Sequence, residues 1–116
     1  MTYGKGESGI KSIPHDKYFE ALDDEVVLTV VSASCKHFKV SVPDIVLIPE
    51  NGNWRGWYKP KTKTVEVSRL MFGLVIHETA HHINRELNGY HRNNGHYVHH
   101  GYTFKVILQE LHDLWR

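Results

Sequence analysis

The fold of this chain is decided by the ten residues GLVIHETAHH, the stretch Gly73–His82. They contain the pattern His-Glu-x-x-His within a run that predicts a helix. Because an α-helix turns by about 100° per residue, positions four apart lie on one face. His77 and His81 can therefore direct their imidazole nitrogens at a single point, as two ligands of a zinc ion do. Glu78 lies beside them, close enough to contact a water at that point rather than the ion itself.

The residues around this motif favour a buried helix. An apolar stripe precedes it and continues after it at helical spacing, and its members are Leu70, Leu74, Val75, Ile76, Ala80, Ile83 and Leu87. The helix is predicted to end at Asn88-Gly89, because glycine accepts the left-handed conformation that follows many helices. A motif of this kind on a buried helix, with more histidines downstream, is what a zinc hydrolase requires. The alternative is a helix whose histidines are exposed and bind no metal.

Length and composition limit the classes of protein that the chain can belong to. Its 116 residues suffice for one domain with its own core but not for two. The formal net charge of +1 creates no strong field toward nucleic acid or a membrane. Cys35 is the single cysteine, which excludes a disulfide framework and a cysteine-based zinc site and favours a reducing compartment.

The termini and the hydropathy pattern give the expected domain boundaries and location. Residues 1–12 carry three glycines among polar residues and are predicted to form a flexible N-terminal arm, with residues 13–116 as one domain. The arm lacks the apolar core of a signal peptide, and no stretch approaches the length of a membrane span. We therefore expect a cytoplasmic protein with no membrane partner.

The sequence before the motif predicts one helix and three strands. Apolar residues recur at helical spacing over Asp16–His37, although the β-branched run Val26–Val31 would also suit a strand. Asp44–Ile48 is a short apolar run between prolines, which predicts a buried strand. Trp54–Tyr58 and Thr64–Ser68 predict the strands of a hairpin, the second half-buried because its apolar residues alternate with polar ones.

The sequence after the motif predicts a loop and a closing helix. Residues 90–98 are polar and rich in Gly and Asn, and His100–Trp115 has apolar residues at helical spacing. The closing helix is expected to pack on the motif helix. The predicted fold class is therefore α+β, with a small antiparallel three-stranded sheet packed with about three helices, the second of which carries the motif.

A catalytic zinc ion usually has three protein ligands and one open position for water. The motif supplies two of them. His82 lies about 100° around the helix from His81, so it cannot easily join the same site. The remaining candidates for the third ligand follow the motif helix, in or after a loop that can fold back, and they are His91, His96, His99 and His100.

The segment His100–Phe104, which reads HGYTF, resembles the His-Gly-x-x-Phe/Trp element of SprT-like zinc metallopeptidases. That family includes the Spartan-type proteases of DNA–protein crosslinks. The order of predicted elements over about Asp16–Trp115 is also similar to the family's core, in a minimal form. The resemblance implies a zincin-like domain that binds one catalytic Zn²⁺ through His77, His81 and His100.

The chain departs from the family pattern in the interval between the two motifs, which is long and rich in histidine. His99 and His96 therefore remain alternative third ligands. A thermolysin-type site would instead take Glu110 from the closing helix, but the match at His100 outweighs it. Because the chain shows no zinc ribbon or DNA-binding extension, we do not expect the crosslink-repair role to transfer with the fold.

The motif and the resemblance together predict hydrolysis of peptide bonds in a protein or peptide substrate. Zinc would polarise the scissile carbonyl and acidify a water, with Glu78 as the general base. The oxyanion that forms needs a further donor. The candidates for contact with the oxyanion or the substrate are Tyr97, Tyr102 and Arg92.

Two other functions remain open. In a zinc-stabilised binding module without turnover, a fourth ligand such as His96 or His99 would close the coordination sphere. An association with single-stranded nucleic acid would use the hairpin's lysines and aromatic residues, although the near-neutral charge argues against strong binding. Those hairpin residues are Lys59, Lys61, Lys63, Trp54, Trp57 and Tyr58.

Overall fold

The computed structural model describes residues 10–11, 13–49, 55–89, 92–93, 96–97 and 100–116. In chain order these residues form α1 (His15–Tyr18), α2 (Asp24–His37), β1 (Asp44–Leu47), β2 (Gly56–Lys59), β3 (Thr64–Val67), α3 (Phe72–Asn88), β4 (Arg92–Asn93), β5 (His96–Tyr97) and α4 (Tyr102–Trp115). The α+β class is confirmed. None of the helices in these ranges combines the length and the apolarity that a bilayer crossing needs.

The three-stranded sheet is mixed, and the prediction of an antiparallel sheet is wrong for its first strand. The strand order is β1-β3-β2, with β2 antiparallel to β3 and β1 parallel to β3. The chain reverses direction between β1 and β2 and again in the hairpin between β2 and β3. Two reversals restore the original direction, so β3, inserted in the middle, runs parallel to β1. Consecutive strands are neighbours in most sheets but not in all, and the pattern of single strands does not reveal this exchange of places.

The burial of the strands also differs from the prediction. β1 was expected to be buried, yet it is an edge strand, and Leu47 is 61% exposed. β3 was expected to be half-buried, yet it is the central strand, and Thr64 and Ser68 are buried together with Val65 and Val67. A strand between two neighbours loses solvent on both sides, whereas an edge strand keeps one side open.

The single helix predicted over Asp16–His37 is divided into α1 and α2. The backbone between them pairs with the chain before α3, where the Leu22 N–H donates to the Leu70 carbonyl at 2.7 Å. α2 then begins after Asp23, whose side chain accepts a hydrogen bond from the Val26 N–H at 2.9 Å. The β-branched run is helical, as favoured. Because of this division the motif helix is the third of the four helices that the described residues form, rather than the second of about three.

α3 is the central element of the core, in contact with α1, α2, α4 and the sheet. Of its predicted apolar stripe, Val75, Ile76, Ala80 and Ile83 are buried, Leu70 and Leu74 are partly buried, and Leu87 is exposed. The helix ends as predicted, at Gly89. The φ of 68° and ψ of −157° at Gly89 are a combination that is essentially restricted to glycine.

A second small sheet lies between α3 and α4 in the chain, and the first described residues pack on α4 and the core. β4 and β5 form a two-stranded antiparallel sheet within the segment that was predicted to be a loop. The flexible-arm prediction falls mostly on residues 1–9 and 12, which lie outside the described residues. Of the other two, Lys11 donates its N–H to Gln109 Oε1 at 2.7 Å, and Ile10 packs against the core.

Candidate metal centre

Three histidines converge where α3 meets the start of α4. His77 and His81 lie one helical turn apart on α3, and His100 lies just before Gly101, the N-cap of α4. The Nε2 atom of His100 is 3.3 Å from that of His77 and 3.1 Å from that of His81. One ligand nitrogen from each ring lies within 4.8 Å of the others. Within the described ranges, this group can hold a metal ion.

The distances in this cluster fit a cation better than they fit hydrogen bonds alone. Two nitrogens that each lie at the zinc–imidazole distance, at a tetrahedral angle, are about 3.3–3.4 Å apart. The Nε2 of a neutral imidazole offers either one N–H or one lone pair. His100 Nε2 therefore cannot complete a well-formed hydrogen bond with both partners, whereas three lone pairs can share one positive ion. The donor set of three imidazoles suits zinc and also accepts cobalt, nickel or copper.

The ring of Phe104 contacts the rings of all three histidines. This residue is fully buried in the first turn of α4, and its ring is stacked on His81 at a centroid distance of 4.2 Å. The rings of His77 and His100 contact it at 5.2 Å and 4.9 Å. These ring contacts help to orient the three histidines toward one point.

Glu78 lies beside the cluster and beneath the sheet. Its side chain follows that of His77 around the helix, and the residue is only 5% exposed. Its Cγ packs closely against the backbone of β2 at Gly56. The side chain is therefore held against the edge strand β2, where few water molecules can surround it.

His82 does not join the cluster, as its position on the helix predicts. It is fully buried, and its Nε2 lies 2.6 Å from the Ser41 carbonyl, which can only accept, so Nε2 donates. Burial lowers the pKa of His82, although the hydrogen bond to Ser41 opposes this effect. In the neutral ring Nδ1 accepts a hydrogen bond from the Tyr58 hydroxyl at 2.7 Å. His82 thus fastens α3 to β2 and to the segment before β1.

Removing this fastening should destabilise the fold. In Tyr58→Phe the ring remains but the donor to the buried His82 is lost, and an unsatisfied buried acceptor costs about 1–3 kcal/mol of unfolding free energy. Urea denaturation of the two proteins measures the difference. The matched control is Tyr102→Phe, which removes the hydroxyl of a tyrosine that is 83% exposed and should change the unfolding free energy by less than about 0.5 kcal/mol. Equal losses in both variants would contradict a buried role for the Tyr58 hydroxyl.

The structure does not assign a role in the histidine cluster to the other predicted site residues. Tyr102, the first residue of α4, is directed into solvent. Arg92 lies on β4, and His96 and Tyr97 form β5, for which the backbone alone is described. His99 lies outside the described residues, so the roles of these residues stay predictions. Glu110, the candidate of the thermolysin-type pattern, instead contacts His37 Nε2 at 2.9 Å across α2 and α4.

The hairpin lysines are largely engaged within the protein. Lys59 forms an ion pair with Glu66 at 3.0 Å, and Lys63 forms one with Glu86 at 3.0 Å. Trp57 donates its indole N–H to Glu66 at 2.6 Å. Trp54 lies outside the described residues. Lys59, Lys63 and Trp57 therefore have partners within the protein. These contacts lend no support to the nucleic-acid alternative.

Sequence reasoning missed two residues of the site. Phe104 was recognised as part of a motif and of an apolar stripe, but not as a support for all three histidines. Its position four residues after His100, on the face that meets α3, was the available signal. Gly56 gave one weak signal, since a glycine inside a predicted strand often marks a close approach.

No family model, no curated protein and no solved structure matches the chain. The resemblance to SprT-like metallopeptidases therefore depends on the two short motifs.

Proposed function

We propose that this protein is a zinc-dependent metallopeptidase with a zincin-like core similar to that of the SprT-like family. One observation carries the proposal, the convergence of the Nε2 atoms of His77, His81 and His100 beside a buried glutamate. His77, Glu78 and His81 occur at the spacing found in metalloproteases that use the His-Glu-x-x-His pattern. The proposed ligands are the three histidines, and the proposed general base is Glu78.

Zinc bound by three imidazoles supplies a Lewis acid that polarises a carbonyl and makes water more acidic near neutral pH. The chain supplies the rest of the chemistry. As the water oxygen bonds to the carbonyl carbon of the peptide, Glu78 accepts the proton that the water loses. Glu78 then donates this proton to the amide nitrogen as the C–N bond breaks, so that a carboxylic acid, which retains the second proton of the water, and an amine leave. The low exposure of Glu78 limits competing proton exchange with bulk water.

Zinc titration against a competing chelator tests the ligand set. Since the loss of an outer-shell partner alone typically costs about 10- to 100-fold in metal affinity, His100→Ala should weaken zinc binding by at least about 100-fold. His37→Ala is the matched control, because His37 is an exposed histidine whose described partner is the surface residue Glu110. Unchanged zinc affinity in His100→Ala would remove His100 from the site and return the third position to His96 or His99.

Peptide hydrolysis tests the activity. The zinc-loaded wild type should cleave labelled casein, and mass spectrometry should identify new amino and carboxyl termini. The metal-free protein and His100→Ala should not cleave it. Stoichiometric zinc binding with no cleavage of casein or of a degenerate peptide library would instead support the non-catalytic, zinc-stabilised binding module.

A further inference from the structure

The inward face of β2 lies along one ridge of α3. Successive inward positions of a strand are two residues apart, and those of a helix ridge are four apart. Gly56 packs on Leu74 and Glu78, and Tyr58 bonds to His82 one turn further along the helix. The hydrogen bond between Tyr58 and His82 therefore fixes the register in which Gly56 lies over Glu78.

The contact at Gly56 leaves no room for a side chain. A Cβ atom on Gly56 would lie 3.2 Å from Glu78 Cγ, 3.2 Å from Leu74 Cγ and 2.9 Å from Leu74 Cδ1. Leu74 Cδ1 is the end of a flexible side chain and can rotate away. Glu78 is buried, and its Cγ leads directly to the carboxylate, so a displacement there moves the proposed general base.

Glycine at residue 56 is unfavourable for the stability of the strand, so the strand itself does not explain why a glycine occurs there. Glycine weakens the interior of a strand, because the unfolded chain loses more freedom and no side chain contributes to the sheet. Gly56 is nevertheless the first residue of β2 and pairs with Val67 of the central strand. Alanine at such a position should be neutral or favourable for strand formation unless it disturbs the residue beneath it.

We propose that Gly56 is a positioning residue, which fixes the side-chain conformation of Glu78 relative to the three histidines by bringing bare backbone against its Cγ. This inference rests on the proposed function for the role of Glu78, but the contact itself is independent of that role. A substitution at residue 56 should therefore act on turnover through Glu78 and leave the metal ligands unaffected.

Gly56→Ala tests the inference by kinetics. Since a misplacement of about 1 Å can cost about 100-fold in rate, a shift of a few tenths of an ångström should lower kcat by about tenfold, with KM and zinc affinity within about twofold of wild type. Two further variants separate the causes. Gly56→Ala/Leu74→Ala removes the closest contact with Leu74 and should keep the loss of kcat. In the Glu78→Gln background, Gly56→Ala should cause no additional loss, because the residue through which it acts is already inactive.

Nuclear magnetic resonance of the metal-free protein gives a readout that does not need activity. The wild type should show a nuclear Overhauser effect between Gly56 Hα and Glu78 Hγ, and the three-bond couplings of Glu78 should report one χ1 rotamer. In Gly56→Ala these couplings should change, while those of His81 should not. A changed Glu78 rotamer in Gly56→Ala, together with a wild type that cleaves no peptide, would support the positioning role and refute the proposed function. Unchanged couplings, unchanged kcat, or recovery of kcat in the double variant with Leu74→Ala would each overturn the inference.

Discussion

Glu78→Gln should abolish most peptide hydrolysis while zinc binding stays at the wild-type level. Glutamine has nearly the same shape, so the packing of this buried side chain against Gly56 is retained. Its amide cannot accept the proton of the attacking water, and a positioned general acid–base typically contributes about 10²- to 10⁴-fold to the rate. We therefore expect kcat to fall by about 10²-fold or more, with unchanged zinc stoichiometry and affinity.

The measurement pairs casein cleavage with the chelator titration on the same preparations. Glu86→Gln is the matched control on the same helix, because Glu86 lies two turns further along α3, where it contacts Ser41 and Lys63, and the substitution should leave kcat within about twofold of wild type. A Glu78→Gln variant as active as the wild type would end the assignment of Glu78 as the general base. Loss of zinc from that variant would show that Glu78 serves as a ligand instead.

The parts of the site that the sequence predicts are those fixed by local geometry. His77 and His81 share a face because any helix places positions four apart together, and the apolar stripe determines that this helix is buried. The end of α3 follows from Gly89 alone. His100 is different, because its approach to α3 depends on how α4 packs, and the HGYTF resemblance rather than periodicity singled it out.

The parts that the sequence did not predict depend on contacts between distant segments. The division of the first helix follows from backbone pairing of Leu22 with Leu70, which no window around Leu22 contains. The parallel direction of β1 depends on β3 taking the central place in the sheet. The sequence alone suggests no role for His82, whereas in the structure its two ring nitrogens contact the Tyr58 hydroxyl and the Ser41 carbonyl. The first and the last of these features act directly on α3, because Leu70 lies just before this helix and His82 lies on it.

Among the substitutions discussed that add a single methyl group, Gly73→Ala should destabilise the fold most. In an ordinary helix this change would stabilise by about 0.5–1 kcal/mol, since glycine is a poor helix former. Here a Cβ on Gly73 would overlap the ring carbons of Tyr18. Tyr18 is only 2% exposed and belongs to the core, so its ring cannot move aside without opening that core. Overpacking typically costs about 1–3 kcal/mol and occasionally more, and an overlap with several atoms of an aromatic ring should cost at least about 3 kcal/mol.

Urea denaturation of Gly73→Ala measures this loss, and a double-mutant cycle with Tyr18→Ala identifies its cause. Once the ring is removed the overlap disappears, so adding Gly73→Ala to Tyr18→Ala should be neutral or stabilising, as helix propensity alone predicts. The reversal of sign between the two backgrounds is the diagnostic result. A Gly73→Ala protein as stable as the wild type would mean that α1 does not press its tyrosine against the first turn of α3. The position of α3 would then differ from that described. The orientation of the His77 ring toward His100 would differ as well, because His77 lies one turn further along the same helix.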